Sequence, residues 1–271
     1  MPNVTKSGKI SRKILPIIYV LDTSGSMVNA RISAVNSAMI ESIDVLKDIS
    51  KTNPSAEIKI GVLTFDANFK WVTPEDELVF MQDFYWNNLE AGGTTNLADA
   101  LNELYKKLSR SAYFTDEIGY KLPVIIFMSD GEPDDKLKGG VFYKPAIYKL
   151  MNHNNWFKHA TKIAFAIDNE CDKDVLAELT GSEESVIAIT DMVTFKKLIR
   201  VVSATVALIG SKSRTDADLT DQIMEEIRSK MEGESGVDIK DKMPDDDPPT
   251  SPVYPDSNDR GWNPPDLSVW D

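Results

Sequence analysis

The stretch ILPIIYVLDTSGSM, residues 14–27, joins an apolar run to a polar loop. A short apolar run of this length is typical of a buried strand, and Asp22 closes it. The loop carries Ser24 and Ser26 in alternation with Asp22, and Gly25 lets the backbone turn between the two serines. Open parallel sheets place their sites at the carboxyl ends of strands, so this loop is a candidate site.

Further apolar runs alternate with helical patterns, which indicates βαβ units and a mainly parallel sheet. These runs are EIKIGVLTFD (57–66), LPVIIFMSD (122–130), TKIAFAID (161–168) and SVIAITD (185–191). The stretch FKWVTPEDELV (69–79) predicts a short antiparallel strand at one edge. The predicted fold class is α/β, doubly wound and Rossmann-like, with a central, mostly parallel six-stranded sheet flanked by helices.

Apolar residues at three- and four-residue spacing predict the helices between the strands. The first predicted helix carries Ile32, Val35, Met39, Ile43 and Leu46, and the second carries Leu97, Leu101, Leu104 and Leu108. Residues 190–210 predict a terminal helix. A short amphipathic helix is predicted within 214–232 on Leu219, Ile223, Met224 and Ile227.

The composition changes along the chain and predicts four segments. Residues 1–11 are an N-terminal extension, 12–210 the domain, 211–232 a short helical linker, and 233–271 an acidic, proline-rich tail. We expect the tail to be disordered when alone, because it cannot bury enough apolar surface to offset its ordering entropy. It ends in NPPDLSVWD, and Leu267, Val269 and Trp270 there predict a partner-binding motif. A solvated tail, a phosphorylated tail, and a plug in which Asp266 or Asp271 fills the candidate site are alternatives.

Charge and cysteine content exclude several classes of protein. The 271 residues carry a net charge of −13 with no basic stripe, which argues against nucleic-acid binding. The single cysteine, Cys171, excludes an intramolecular disulfide framework and favours a cytoplasmic location. No segment approaches the roughly 20 apolar residues of a membrane span, so no membrane partner is expected.

Two more stretches bring oxygen ligands to the predicted sheet edge. AGGTTN (91–96) supplies Thr94 and Thr95 on a loop before a helix, and FMSDGEPDD (127–135) supplies Asp130 after a buried strand. Mg²⁺ takes six oxygen ligands in an octahedron, keeps several waters, and is often held by only one or two carboxylates. Hydroxyls beside carboxylates fit that preference.

The set Asp22, Ser24, Ser26, a threonine after Gly-Gly, and Asp130 in an S-D-G turn resembles the metal-ion-dependent adhesion site of von Willebrand factor A (VWA) domains. The resemblance covers about residues 12–210. LPIIYVLDTSGSM, AEIKIGVLTF, AGGTT and KLPVIIFMSDGEPDD are similar to the TerY-like, tellurite-resistance-associated bacterial branch. That branch implies a stand-alone cytoplasmic domain, often encoded beside a Ser/Thr kinase and a PP2C-type phosphatase. The long acidic tail departs from its compact pattern.

The resemblance also implies a ligand set and a function. Ser24, Ser26 and Thr94, with Thr95 as the fallback, bind Mg²⁺ directly, and Asp22 and Asp130 act directly or through water. Mn²⁺ and Ca²⁺ are alternative ions. One position stays open for an acidic residue of a protein partner, so the domain is a non-catalytic interaction module in a bacterial signalling, stress-resistance or phage-defence complex.

Two functions from other classes compete with this one. A metal-dependent phosphohydrolase would use Asp22 as its nucleophile, but haloacid-dehalogenase-like enzymes need a second acid where Ser24 stands. A scaffold would bind mainly through its acidic tail. Neither a P-loop nor a dinucleotide-binding motif matches DTSGSM, and the two histidines lack the context of a Ser-His-Asp triad.

Other acids near the predicted strand ends have structural explanations. Asp66 is expected to cap a turn, and Asp168 to cap a turn or the helix that begins in KDVLAEL. Asp134 and Asp135 are expected to form a solvated acidic loop. Cys171 is expected to be a small buried residue rather than a nucleophile.

Overall fold

The structure is a computed structural model, and it describes residues 12–75, 77–115, 119–130, 133, 143–168, 171–212 and 219–240. Within these ranges one sheet contains eight strands. The strands are β1 (Lys13–Asp22), β2 (Ala56–Phe65), β3 (Phe69–Trp71), β4 (Val79–Phe80), β5 (Val124–Ser129), β6 (Thr161–Ile167), β7 (Val186–Ile189) and β8 (Val237–Ile239). The predicted N-terminal extension, residues 1–11, lies outside the described residues.

The sheet is mostly parallel and confirms the doubly wound α/β class. Its order is β3-β2-β1-β5-β6-β7-β8, with β4 also paired to β2. The strands β1, β2, β5, β6 and β7 pair in parallel, while β3, β4 and β8 are antiparallel. The predicted edge strand is β3. The predicted number of six strands is too low, because β4 and β8 span two and three residues and are too short to show a period.

Seven α-helices in the described ranges cover the two faces of the sheet. They are α1 (Ala30–Thr52), α2 (Leu97–Lys107), α3 (Tyr143–His153), α4 (Asn155–Lys158), α5 (Lys173–Thr180), α6 (Met192–Lys212) and α7 (Leu219–Met231). The apolar stripes predicted for α1 and α2 are buried. None of these helices has both the length and the apolar composition that a membrane crossing requires.

Successive side chains of β1 enter two separate cores, as the period of a strand requires. Leu15, Ile17 and Tyr19 pack in the core under α1, α6 and α7. Ile18 and Val20 pack in the core under α2, α3 and α5. Because both faces are covered, β1 is apolar along its whole length rather than alternating.

The segment predicted as a linker contains a helix that packs into the first core. Leu219, Ile223, Met224 and Ile227 on α7 are buried there. After α7, residues 237–239 form β8 and pair antiparallel with β7. The interpretation of 211–232 as a linker is therefore wrong, as is that of 233–240 as disordered, because the apolar face of α7 and the β8 hydrogen bonds attach both to the domain. Residues 241–271, including Leu267, Val269 and Trp270, lie outside the described residues.

Candidate metal site

The candidate site lies at the topological switch point of the sheet, where the strand order changes direction. From β1 the chain passes through α1 to β2 on one side, and β5 pairs with the other side of β1. Such a switch point opens a crevice at the carboxyl ends of the strands. The register pairs Leu21 with Met128, which places Asp22 beside Ser129 and brings Asp130 to the same edge.

Asp22 ends β1, and its carboxylate is held by two hydrogen bonds. Oδ1 accepts one from the Ser24 backbone N–H at 2.8 Å, and Oδ2 accepts one from the Ser129 hydroxyl at 2.7 Å. The residue is 1% exposed. Burial raises the pKa of Asp22 to about 6, against the opposing effect of its hydrogen bonds with Ser24 and Ser129. At neutral pH the carboxylate is mostly ionised, and a nearby cation stabilises such a buried charge.

Ser24, Ser26 and Asp130 form a continuous row of oxygens. The two serine Oγ atoms are 3.1 Å apart, and the Ser26 hydroxyl donates to Asp130 Oδ1 at 2.7 Å. Neighbouring ligand oxygens around an octahedral Mg²⁺ are about 2.9 Å apart, because each bond is roughly 2.0–2.1 Å long. The spacing of these three oxygens therefore fits the edges of such an octahedron.

The loop with the two candidate threonines is hydrogen-bonded to the serine loop. The Gly92 N–H donates to the Thr23 carbonyl at 2.8 Å, and the Gly25 N–H donates to the Gly93 carbonyl at 2.9 Å. A Cβ on Gly25 would lie 3.0 Å from that carbonyl oxygen, so only glycine fits without a shift. Thr94 is exposed and Thr95 is buried, and both follow directly from the paired segment.

Replacing Gly93 with alanine is expected to lower the free energy of unfolding by about 1–3 kcal/mol. Gly93 has a φ of +82°, a conformation that strains residues with a Cβ. Gly92→Ala is the matched control, since a Cβ there meets nothing within 4 Å. Urea denaturation of both variants checks the prediction, and equal stabilities would contradict it.

Arg31, at the start of α1, was not singled out from the sequence, yet it bridges two acids at this edge. Its Nη1 lies 2.6 Å from Asp130 Oδ2 and its Nη2 lies 2.6 Å from Asp168 Oδ2. Nη1 also donates to the Ser26 carbonyl at 2.9 Å. The hydrogen bond with Asp168, followed by the charge of Asp130, raises the pKa of Arg31. Its only sequence signal is a basic residue one turn after the serine loop.

The structure gives roles to two of the remaining acids near the strand ends, Asp66 and Asp168. Asp66 caps a turn as predicted, because its Oδ1 accepts from the Asn68 N–H at 2.9 Å. Of the two roles predicted for Asp168, a turn cap or a helix cap, the helix cap is wrong: Asp172 is the N-cap of α5 and accepts from the N–H groups of Asp174 and Val175. Asp168 instead directs its carboxylate to Arg31. Asp134 and Asp135 lie outside the described residues.

Cys171 lies close behind the site but is not poised to react. Its thiol is buried and lies 3.4 Å from the Ser129 carbonyl oxygen. Burial raises the pKa of Cys171 to about 12, so little of the reactive thiolate is present at neutral pH. The residue is small and buried, as predicted.

The donor chemistry of this edge fits a hard divalent cation held partly by hydroxyls. Within the described ranges, no group of three or more His, Cys, Asp and Glu residues is arranged to bind a metal. A metal at this edge would therefore depend on serine and threonine oxygens as well as on Asp22 and Asp130. The aligned oxygens of Ser24, Ser26 and Asp130 offer such a mixed set.

The part of the chain that holds the candidate site is similar to a known family of domains. Residues 17–132 match the family model of the von Willebrand factor type A domain. The matched segment begins in β1 and ends just after Asp130, so it includes the whole candidate site. This part of the chain is thus similar to the von Willebrand factor type A domain, and the order of its strands agrees with that similarity. No curated protein shows significant sequence similarity to the chain.

Solved structures support the same fold at low sequence identity. A von Willebrand factor type A protein from Catenulispora acidiphila aligns with a TM-score of 0.53 and 17% identity, over 71% of this chain and 42% of that one. Proximal thread matrix protein 1 from the mussel byssus aligns with a TM-score of 0.50 and 17% identity, over 73% and 47%. The domain of the type V pili tip protein Mfa5 from Porphyromonas gingivalis gives 0.51 and 11%, over 77% and 99%. This chain covers less than half of the first two structures.

Proposed function

We propose that this domain binds a protein partner through a Mg²⁺ ion at the edge formed by β1 and β5. The ligands are Ser24, Ser26 and Thr94, with Thr95 as the alternative threonine, and Asp22 and Asp130 act directly or through water. Mn²⁺ and Ca²⁺ are alternative ions. An acidic side chain of the partner completes the coordination, and the domain catalyses no reaction of its own.

The preformed row of oxygens carries this proposal. Ser24, Ser26 and Asp130 are spaced at 3.1 and 2.7 Å, and Asp22 is fixed beside them by hydrogen bonds from Ser24 and Ser129. Ser26 is exposed while Asp22, Ser24 and Asp130 are buried. A metal at this edge would thus be held on its protein side by buried residues and remain accessible to solvent on the other side. This arrangement suits a bridge to a second protein.

The cellular setting is proposed from the resemblance to the TerY-like branch. On that basis the domain acts in the bacterial cytoplasm, in a signalling, stress-resistance or phage-defence complex with a Ser/Thr kinase and a PP2C-type phosphatase. The partner's carboxylate is the chemical feature that the site would recognise. Leu267, Val269 and Trp270 in the tail form a second proposed contact with a partner.

The competing phosphohydrolase mechanism is disfavoured by the surroundings of Asp22. A nucleophilic carboxylate needs an oxygen that can approach a phosphorus atom. Both oxygens of Asp22 accept hydrogen bonds, and the residue is almost fully buried. If the enzyme mechanism were right, the protein with Mg²⁺ would hydrolyse a generic phosphoester and lose that activity in Asp22→Asn.

Metal binding and metal-dependent partner capture test the proposal together. Isothermal titration calorimetry on the full chain is expected to detect one Mg²⁺, and Asp130→Asn should weaken that binding by at least about tenfold. A tagged chain incubated with lysate of its host should retain a partner in Mg²⁺ and lose it in EDTA. The Asp130→Asn chain should lose the same partner.

Asp66→Asn is the matched control for Asp130→Asn. Both acids follow strands that end at this edge, and an asparagine at 66 keeps the side-chain oxygen that accepts from Asn68. The control should bind Mg²⁺ and the partner as the unchanged chain does. A partner retained in EDTA and by Asp130→Asn would contradict the metal bridge and move the binding surface to the tail.

A further inference from the structure

Arg31 lies among three carboxylates at the candidate metal site. It contacts Asp130 and Asp168 directly, and Asp22 lies close enough to Asp130 for the two charges to interact. One positive charge against three negative charges leaves an excess of two, which one divalent cation would balance. The charge of Arg31 is thus part of the electrostatics of the site.

The two oxygens of Asp130 have different partners. Oδ1 accepts from the Ser26 hydroxyl, in the row of proposed metal ligands. Oδ2 accepts from Arg31 Nη1 on the other side of the carboxylate. The Asp130 side chain is fully buried, so Arg31 replaces the water that would otherwise stabilise its charge. Arg31 also fixes the direction in which Oδ1 points.

The backbone on both sides of this bridge adopts costly conformations. Asn29, two residues before Arg31, has a φ of +69°, and Asp168 has a φ of +80°. These are the two described non-glycine residues with positive φ. Such conformations cost on the order of 1–3 kcal/mol each and persist where the surroundings compensate. The ion pair between Arg31 and Asp168 is 2.6 Å long. Such a short ion pair can offset the cost of the backbone conformations at Asn29 and Asp168.

We propose that Arg31 is the internal counter-cation of the metal site, holding Asp130 and Asp168 in place when no metal is bound and lowering the affinity for the metal. This inference rests on the proposed function. Its physical basis is that Arg31, 2.6 Å from Asp130 Oδ2, already neutralises this carboxylate, and that its charge would repel a divalent cation held by the same carboxylate. The domain thereby stays folded in both states, and the metal can be released.

Removing the charge of Arg31 should tighten metal binding. Arg31→Met keeps an apolar stem but leaves the buried Asp130 without its cation, so we expect the metal-free chain to unfold at a lower temperature. A bound metal relieves that unpaired charge. Calorimetric titration with Mg²⁺, and with Mn²⁺ as a second probe, should therefore give an affinity about tenfold higher than that of the unchanged chain, because the repulsion by Arg31 is removed.

Asp168→Asn should have the opposite effect on the metal. It keeps Arg31 but neutralises one of the two acids that Arg31 contacts, so the full charge of Arg31 faces Asp130, and Mg²⁺ should bind severalfold more weakly. Arg200→Met is the control for Arg31→Met: it removes one positive charge from an exposed position on α6 and should leave the affinity unchanged. The thermal unfolding of each metal-free variant is recorded as a readout that does not depend on the metal.

The possible results separate this inference from the proposed function. If the unchanged chain binds Mg²⁺ but Arg31→Met binds it equally or more weakly, the counter-cation role is wrong and the metal site stands. If none of Mg²⁺, Mn²⁺ and Ca²⁺ binds to the unchanged chain, the proposed function is wrong and the inference fails with it. Should Arg31→Met fail to fold, Asp168→Asn decides, and unchanged or tighter binding there would overturn the inference.

Discussion

Replacing Ile223 with alanine is expected to lower the free energy of unfolding by about 2–5 kcal/mol. Ile223 lies on α7 and is 0% exposed. It belongs to the same core as Leu15 and Ile17 of β1, so the shorter side chain would leave a cavity between α7 and the rest of the domain. The loss combines the transfer of the missing methyl groups with the cost of that cavity.

Ile40→Ala is the matched control for this substitution. Ile40 lies on α1 and is 45% exposed, so the same change there should cost less than about 1 kcal/mol. Urea denaturation followed by circular dichroism measures both values. An effect at Ile223 no larger than that at Ile40 would mean that α7 is a peripheral linker after all.

The sequence predicted the fold class and brought most of the candidate site together because both depend on local patterns. An apolar run that closes on an acid predicts a buried parallel strand, and the ends of such strands meet at one edge. Asp22, Ser24, Ser26 and Asp130 could be placed together on that basis, and the structure connects them by hydrogen bonds. Their role as metal ligands stays a prediction.

Features that depend on contacts distant in sequence were missed. Arg31 pairs with Asp130 and Asp168, which are 99 and 137 residues away in sequence, and no local period reports such a pair. Two aspartates, Asp168 and Asp172, precede α5, and either one has the capping chemistry. Only the tertiary structure assigns the cap to Asp172 and directs Asp168 to Arg31.

The boundary of the domain was also beyond local reasoning. The apolar spacing on α7 predicted a helix correctly, but periodicity does not tell whether an apolar face packs against its own domain or a partner. The short β8 has three residues, and its hydrogen bonds to β7 come from a sheet edge that the rest of the chain builds. The acidic, proline-rich composition of the tail therefore predicted disorder from residue 233, although β8 lies at 237–239.

Stability is expected to depend on pH through Lys162, the second residue of the buried strand β6. Lys162 is 7% exposed. Its Nζ donates hydrogen bonds of 3.1 Å to the carbonyls of Phe157, in α4, and of Ala160, which follows α4. Burial lowers the pKa of Lys162 to about 8 in the folded chain, from 10.5 for an ordinary lysine. The charged form is thus the costly one in the folded state.

Between pH 8 and 10.5 the unfolded chain keeps a proton on Lys162 that the folded chain has lost. Stability rises with pH wherever the unfolded state binds more protons, so this residue should stabilise the fold increasingly across that interval. Each pH unit is worth at most about 1.4 kcal/mol, which gives a gain on the order of 3 kcal/mol. Below pH 8 both states are protonated, and the contribution of Lys162 no longer changes.

Lys162→Met isolates this effect, because it fills similar space without a titrating group. Urea denaturation of both chains from pH 7 to 10.5 should show the unchanged chain gaining stability relative to the variant above pH 8. Burial also raises the pKa of Tyr19 to about 12, but that tyrosine is common to both chains and its effect cancels in the difference. A difference that stays constant across this range would show that Lys162 keeps its proton in the folded state, held by the carbonyls of Phe157 and Ala160.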